Sequence, residues 1–341
     1  YVNLKDRPHH PVQLRGSDRV TLNAEQAVNV GADVLRQAKR VIGIGSPRAS
    51  VESNFALREL VGAENFSTGM PAGEQERLEL LLKVLRDGGI YTPSLREIES
   101  YDAVLVLGED LTQVGARVAL SVRQAVKGKA REMAAAQKVA DWQIAAIMNI
   151  GQHAKHPLFV TNVDETRLDD IAAWSYRAPV EDQARLGFAI ANALDETAPA
   201  VSDFDAALNG KLDVVVQALA GAKKPLIVSG VHSGSTAMIE AAANVAKALK
   251  ARGADVGITL LAGHANSMGL SLMGGNTLDQ ALEQLQSGEA DAVVVLENDL
   301  YRHAPKAQVD AALNQAANVI VVDHQRTATL EKAGLVLSAA S

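Results

Sequence analysis

The chain has 341 residues, 48% of them apolar, a formal charge of -7 and no cysteine. That length and apolar content allow two domains with cores of their own. The acidic balance argues against a nucleic-acid partner, and the missing cysteines remove disulfides, thiolate ligation and a cysteine nucleophile from this polypeptide. No apolar run approaches the roughly 20 residues of a membrane-spanning helix, so no direct membrane insertion is expected. Tyr1 in place of Met, and an end at Ser341 just past a strand-like run, read as a piece of a longer protein.

In chain order, Val12-Gln-Leu and Arg19-Val-Thr around an Arg15-Gly16-Ser17-Asp18 turn predict a small hairpin. Asn23, with Gln26 three residues on, predicts a helix start and a helix to about Lys39. A buried strand is expected over Val41–Gly45, and helices over about 51–61 and 74–87, the latter ended by Gly88-Gly89. A strand over 102–107 is followed by a helix over about 113–126. One long Ala-rich helix is expected from Lys129 to about His153, with Met133, Ile144, Ile147 and Met148 as its apolar positions. Leu158–Thr161 reads as a strand, 168–176 as a short helix or a strand, and 180–194 as a helix. Ala198-Pro-Ala-Val-Ser-Asp203 is the most linker-like stretch.

Beyond it come helices over about 205–219, 236–250 and 278–286. Strands are expected over 226–229, 256–261, 292–296, 319–322 and 335–337. Strand and helix alternate throughout, which predicts an α/β protein of two related doubly wound, mainly parallel-sheet domains.

The relation between the domains is written in repeated words. Asp102-Ala-Val-Leu-Val-Leu-Gly-Glu-Asp-Leu111 and Asp291-Ala-Val-Val-Val-Leu-Glu-Asn-Asp-Leu300 agree at seven of ten positions. Lys39-Arg-Val-Ile-Gly-Ile-Gly-Ser46 resembles Lys223-Lys-Pro-Leu-Ile-Val-Ser-Gly230. Two halves are expected, each opening on a strand that ends in Gly and Ser and followed by a strand that ends in acid.

Chemistry-bearing candidates are few. Gly43-Ile-Gly45-Ser-Pro-Arg48 begins like a dinucleotide fingerprint, but Arg48 replaces the third glycine and Pro47 lacks the N–H a phosphate needs. Glu109-Asp110 and Asn298-Asp299 stand at equivalent strand ends, where carboxylates do acid–base work, hold a metal, or cap the next helix. His153 and His156 share a helical spacing without a third ligand and read as a surface pair. Gly263–Gly275 is either a ligand-facing loop or a close-packed crossover. There is no G-x-S-x-G elbow, since Gly269-Leu-Ser271-Leu-Met273 fails at its last position, and no Walker A loop.

Several words in order resemble the molybdopterin oxidoreductases. Val41 to Leu60 is similar to that family's first strand, Gly-rich turn and helix, and Asp102 to Gly128 to its strand, G-x-N-P loop and helix. Asn266-Ser-Met-Gly-Leu-Ser-Leu-Met-Gly274 resembles its N-x-x-G-x-x-x-M-G loop, and Val321 to Leu337 its closing strand, turn and strand. The resemblance covers essentially the whole chain and includes Arg131-Glu-Met-Ala-Ala-Ala-Gln-Lys-Val-Ala-Asp-Trp-Gln-Ile144, which narrows it to a scaffold-like region of a larger iron–sulfur subunit in a multisubunit respiratory oxidoreductase. It implies a discontinuous domain of residues 1–70 plus 206–341, with residues 71–205 inserted.

The departures from the family pattern imply lost chemistry. The Ser67-Thr-Gly-Met-Pro-Ala-Gly73 loop offers no metal thiolate, with Ser67 a poorly aligned stand-in, and Asp110 replaces the usual Asn of a phosphate-facing loop. No catalytic, cofactor-binding or metal-ligating residue is expected in the chain. Iron–sulfur clusters are expected N-terminal to Tyr1, and the expected partners are that cluster-bearing part and neighbouring subunits. Away from them, the strand at 335–337 is expected to leave an open sheet edge. The competing readings are a live molybdopterin enzyme, a thiamine-diphosphate-type domain without the G-D-G motif, and a sugar- or nucleotide-binding module.

Overall fold

The computed structural model describes residues 7–16 and 18–339. Ser17, within the expected hairpin turn, lies outside the described residues. In chain order the strands are β1 (Val12–Arg15), β2 (Asp18–Thr21), β3 (Val41–Ile44), β4 (Phe66–Ser67), β5 (Ala103–Leu107), β6 (Leu158–Asn162), β7 (Trp174–Arg177), β8 (Pro225–Gly230), β9 (Gly257–Leu261), β10 (Ala292–Leu296), β11 (Asn318–Asp323) and β12 (Leu335–Ser338). The helices are α1 (Ala24–Gln37), α2 (Val51–Val61), α3 (Ala72–Asp87), α4 (Leu95–Ile98), α5 (Leu111–Val114), α6 (Ala116–Ala136), α7 (Ile144–Gly151), α8 (Val180–Leu194), α9 (Ala206–Gly221), α10 (Thr236–Ala251), α11 (Ser267–Met273), α12 (Leu278–Gln286) and α13 (Lys306–Gln315).

Local chemistry sets the element starts. Asn23 and Gln26 form the reciprocal capping box that starts α1, Ser50 caps α2 through the N–H of Ser53, and Asp205 caps α9 through Leu208. Each such cap contributes about 1 kcal/mol.

The chain forms two compact units, residues 1–78 with 264–341 and residues 79–263. The first boundary falls inside α3. The second lies at 263/264 and not at 205/206, which corrects the expected division. The reason is hydrogen bonding: β8 pairs with β5 and β9 with β8, so 206–263 belongs to the same sheet as 103–177.

The first unit holds a seven-stranded sheet in the order β2-β1-β12-β11-β10-β3-β4. It is parallel except where β1 meets β12 and β2. Because β12 is bonded to β11 on one side and to β1 on the other, the expected open edge at 335–337 is an interior strand. Its core joins Ile42, Ile44, Val293 and Val295 of the sheet to Leu278, Leu282 and Leu285 of α12 and Val309 of α13. The second unit holds a five-stranded, all-parallel sheet in the order β7-β6-β5-β8-β9. There Val104, Val106, Leu226 and Val228 pack on Val118, Val122 and Ala125 of α6. The strand runs are buried almost throughout, as helix-covered parallel strands require.

The long helix expected from Lys129 to His153 is instead two. The first, α6, runs through Gly128 to Ala136, a turn follows in which Lys138 has φ 60°, and α7 doubles back. Of the four expected apolar positions only Ile147 is buried, while Met133, Ile144 and Met148 are exposed. The undecided stretch 168–176 resolves as turns leading into β7, and α11 stands inside the Gly-rich 263–275.

Candidate functional site

In each unit the strand order reverses between the two repeated strands. In the first unit the chain leaves β3 toward β4 on one side, while β10, β11 and β12 fill the other. In the second it leaves β5 toward β6 and β7, while β8 and β9 lie opposite. Ligands of open α/β sheets bind at the carboxyl ends of strands at such reversals, so the turns after β3 and β10, and after β5 and β8, are the candidate sites.

The pairing across each reversal reassigns the internal repeat. The Gly/Ser-ending strand β3 pairs with the acid-ending strand β10, and β8 pairs with β5. Each unit therefore takes one word from the first half of the chain and the other from the second, so the two sequential halves expected from the repeat are not the folded ones. Asp102 binds the N–H groups of Lys223 and Lys224 at 2.9 and 2.8 Å. Asp291 binds those of Lys39 and Arg40 at 3.0 and 3.1 Å.

The strand-end residues are spent on the fold. Glu109 is buried, and its carboxylate accepts the main-chain N–H of His232 at 3.0 Å and lies 2.9 Å from His232 Nδ1. A Cβ added at Gly230 would come within 2.7 Å of Glu109 Oε1, so the turn closes directly on the acid. Asn298 is buried too, and its Nδ2 donates to the carbonyls of Gly45 at 2.8 Å and Gly69 at 3.1 Å. Gly69 has φ +71°, and a Cβ there would stand 2.0 Å from Gly45 O. Only glycine permits that approach.

The neighbouring residues follow suit. Asp110 Oδ1 accepts the N–H of Thr112 at 3.0 Å and so caps α5. Asp299 accepts the Thr329 hydroxyl at 3.0 Å. Ser46 N–H is bonded to the buried Asn54 side chain, which also donates to Ser46 O at 2.9 Å. Buried Ser67, the stand-in metal ligand, accepts the N–H of Gly69 at 3.1 Å. His156 is not part of a surface pair: it is buried, with Nε2 3.1 Å from Glu132 Oε1, whereas His153 is exposed.

Sequence reasoning missed Asp323 and its surroundings. The Asp323 side chain is fully buried, its Oδ1 accepts the N–H of Gln325 at 2.9 Å, and its Oδ2 has no hydrogen bond, with Arg48 Nη2 at 3.9 Å. Arg48 also donates to Glu297 O at 2.6 Å. The missed signal was the acid that ends the Val-rich run Val319–Asp323, the same cue used for 102–111 and 291–300. Among the described residues, no group of three His, Cys, Asp or Glu is placed to hold a metal ion, and no helix is long and apolar enough to cross a membrane. In the second unit a cavity of about 540 Å³ is lined by Lys83, Phe188, Glu240 and Lys247 among others, with no strand-end residue.

Residues 186–341 match the molybdopterin oxidoreductase family. Two solved structures share the fold. Acetylene hydratase from Pelobacter acetylenicus aligns with a TM-score of 0.59 and 12% identity over 98% of this chain and 55% of its own. A chain of the formyltransferase/hydrolase complex (FhcABCD) from Methylorubrum extorquens aligns with a TM-score of 0.57 and 18% identity over 96% of this chain and 86% of its own. In fold, then, this is an α/β protein of mainly parallel sheets, and its residues 186–341 are similar to the molybdopterin oxidoreductases.

Over all 341 residues the chain is similar to the G subunit of NADH-quinone oxidoreductase, at 77% identity in Salmonella typhimurium, 76% in Escherichia coli K12 and 53% in Pseudomonas fluorescens. It spans 37–38% of the length of these relatives.

Proposed function

We propose that this chain is the scaffold region of the iron–sulfur G subunit of an NADH-quinone oxidoreductase, with no cofactor of its own. The parent assembly would carry electrons from NADH to quinone, coupled to proton translocation, as a peripheral part on the cytoplasmic side of the bacterial inner membrane. Its clusters would lie in the part of the subunit N-terminal to Tyr1, and the chain would pack against that part and against other subunits of the peripheral arm.

One observation carries the absence of a cofactor: the turns at both strand reversals are closed by the chain's own buried side chains. A pyrophosphate or pterin arriving after β5 would meet the Glu109 carboxylate, already bonded to His232. Beside β10 it would have to displace Asn298 from two carbonyls that then lose their donor. Ser67 would have to give up its bond to Gly69 to reach a metal. These residues do not fit a molybdopterin.

One observation favours a second reading, a molybdopterin-dependent oxidoreductase domain: the buried Asp323 Oδ2 without a hydrogen bond. Molybdenum and tungsten analysis of the full-length subunit, with pterin fluorescence of its oxidised acid extract, separates the two. Absence of all three in subunit that assembles and passes electrons is expected, and near-stoichiometric metal with pterin would overturn the scaffold reading. Deleting residues 79–263 from the full-length subunit should abolish stable assembly. Normal assembly without them would count equally against it.

A further inference from the structure

The segment between β5 and β6 carries a helical hairpin with a core of its own. Ala130, Ala134 and Ile147 are buried together, with Val139 and Ile150 packed on them. The two helices approach so closely at Gly151 that a Cβ there would stand 2.2 Å from the Ala130 side chain. That small core leaves much apolar surface outside: Trp142 is 79% exposed, Ile144 69% and Met148 61%. Isolated exposed apolar residues need no explanation, but three within seven positions at one helix start do.

The charges of the hairpin segment have one dominant sign. Residues 127–155 contain the bases Lys127, Lys129, Arg131, Lys138 and Lys155 and the acids Glu132 and Asp141, a net +3 in a chain of -7. All five bases are exposed. Glu132 is already engaged, 3.4 Å from Lys129 Nζ and 3.1 Å from His156 Nε2. No residue of α7 itself, Ile144–Gly151, is charged.

We propose that the tip of this hairpin is a docking surface for a protein partner that presents an apolar recess rimmed by Asp and Glu, with Trp142, Ile144 and Met148 as the anchors. The inference rests on the assembly role proposed above and names the surface that carries it. An uncharged apolar centre holding Trp and Met, inside a charged rim, is the composition of an interface hot spot. The basic rim calls for an acidic counterpart, since complementary rims speed encounter and reject wrong partners. A lipid surface fits less well, because membrane-surface helices carry Lys and Arg on their own polar face and α7 has none.

The test uses the full-length subunit in the assembled complex. The double substitution Trp142→Ala/Ile144→Ala should weaken retention of the subunit about tenfold or more, with an unchanged far-UV circular dichroism spectrum. Val214→Ala, at another exposed apolar position of the same unit, should leave retention unchanged. Arg131→Glu/Lys138→Glu should slow association and flatten its salt dependence. A photo-crosslinker replacing the exposed Ala145 should capture a subunit segment rich in Asp and Glu.

Wild-type-like retention of the double variant would overturn the docking surface and leave the assembly role standing. Failure of the wild-type subunit itself to enter the complex would remove both. Binding of the wild type to phosphatidylglycerol vesicles, lost in the double variant, would replace the protein partner with a lipid one.

Discussion

Asp291 holds the main-chain N–H of Arg40 at 3.1 Å across 251 residues of chain. The bond sits where β10 and β3 begin side by side, and it has a counterpart in Asp102 and Lys224, at 2.8 Å, where β5 and β8 begin. The hydrogen bonds from Arg40 and then Lys39 hold the Asp291 carboxyl below its ordinary range. Its stabilising effect is therefore present above about pH 4 and is lost as pH falls below that.

These two carboxylates give a direct test of the crossed pairing. In hydrogen exchange, Asp291→Ala should loosen the amides of Lys39 and Arg40, and Asp102→Ala those of Lys223 and Lys224, at a cost of about 1 kcal/mol each. If Asp102→Ala instead loosened Lys39, the sequential halves of the repeat would be the folded ones after all.

Glu109 is a buried polar group of the second unit bonded across 123 residues to His232. Removing the buried Glu109 leaves the part-buried N–H of His232 without its acceptor, so Glu109→Ala should lower the stability of residues 79–263 by about 1–2 kcal/mol. Glu109→Gln keeps an acceptor and should cost about half as much. Urea unfolding followed by hydrogen exchange reads both. A Gln variant as damaged as the Ala variant would show that the carboxylate, and not merely an acceptor, is required.

Asn298 sets the sign of the charge tolerated after β10. Its amide donates to two carbonyls, so Asn298→Asp would aim a carboxylate at Gly45 O and Gly69 O and should destabilise the first unit by about 2–3 kcal/mol. Thermal unfolding should show that loss, and raising the pH from 4 to 7 should deepen it as the new acid ionises. A neutral effect would mean that the Gly45 turn can open, and a ligand could then enter it.

His303 gives the first unit a pH dependence. Desolvation holds it below its ordinary 6.5, against the raising influence of Glu74 and Asp299 and alongside the lowering influence of His264 and Arg48. The fold thus favours the neutral ring. As pH falls below about 6.5 the unfolded chain takes up the proton first, and stability is lost. Between pH 7.5 and 5.5 the urea midpoint of the wild type should fall more than that of His303→Gln. Parallel slopes would assign the pH dependence to other groups.

How much was legible depends on how local each signal is. The capping box of Asn23 and Gln26, the strand runs Ala103–Leu107 and Ala292–Leu296, and the acids that end them all lie within a few residues, and the structure places them as expected. The candidate residues Glu109 and Asn298 were visible for the same reason, but their partners were not. The carbonyl of Gly69 lies 229 residues from Asn298, and His232 lies 123 from Glu109. α13 went unseen, and the 129–153 helix was read as one because an Ala-rich run carries no stop signal until a side chain finds something to pack on. At Glu297 an ordinary residue takes the left-handed conformation, φ 45°, that Gly108 takes at φ 75° in the other copy. Only the second is announced by its residue type.

By itself, then, the sequence determined the α/β class and the repeated strands, because periodicity and buried Val and Leu runs are properties of short segments, and its motifs taken in order carried the resemblance to a family. Tertiary structure alone decided which copy pairs with which, where residues 206–263 belong, and that β12 is an interior strand. Those choices rest on hydrogen bonds and packing between segments one to three hundred residues apart, whose energies no short stretch of chain contains.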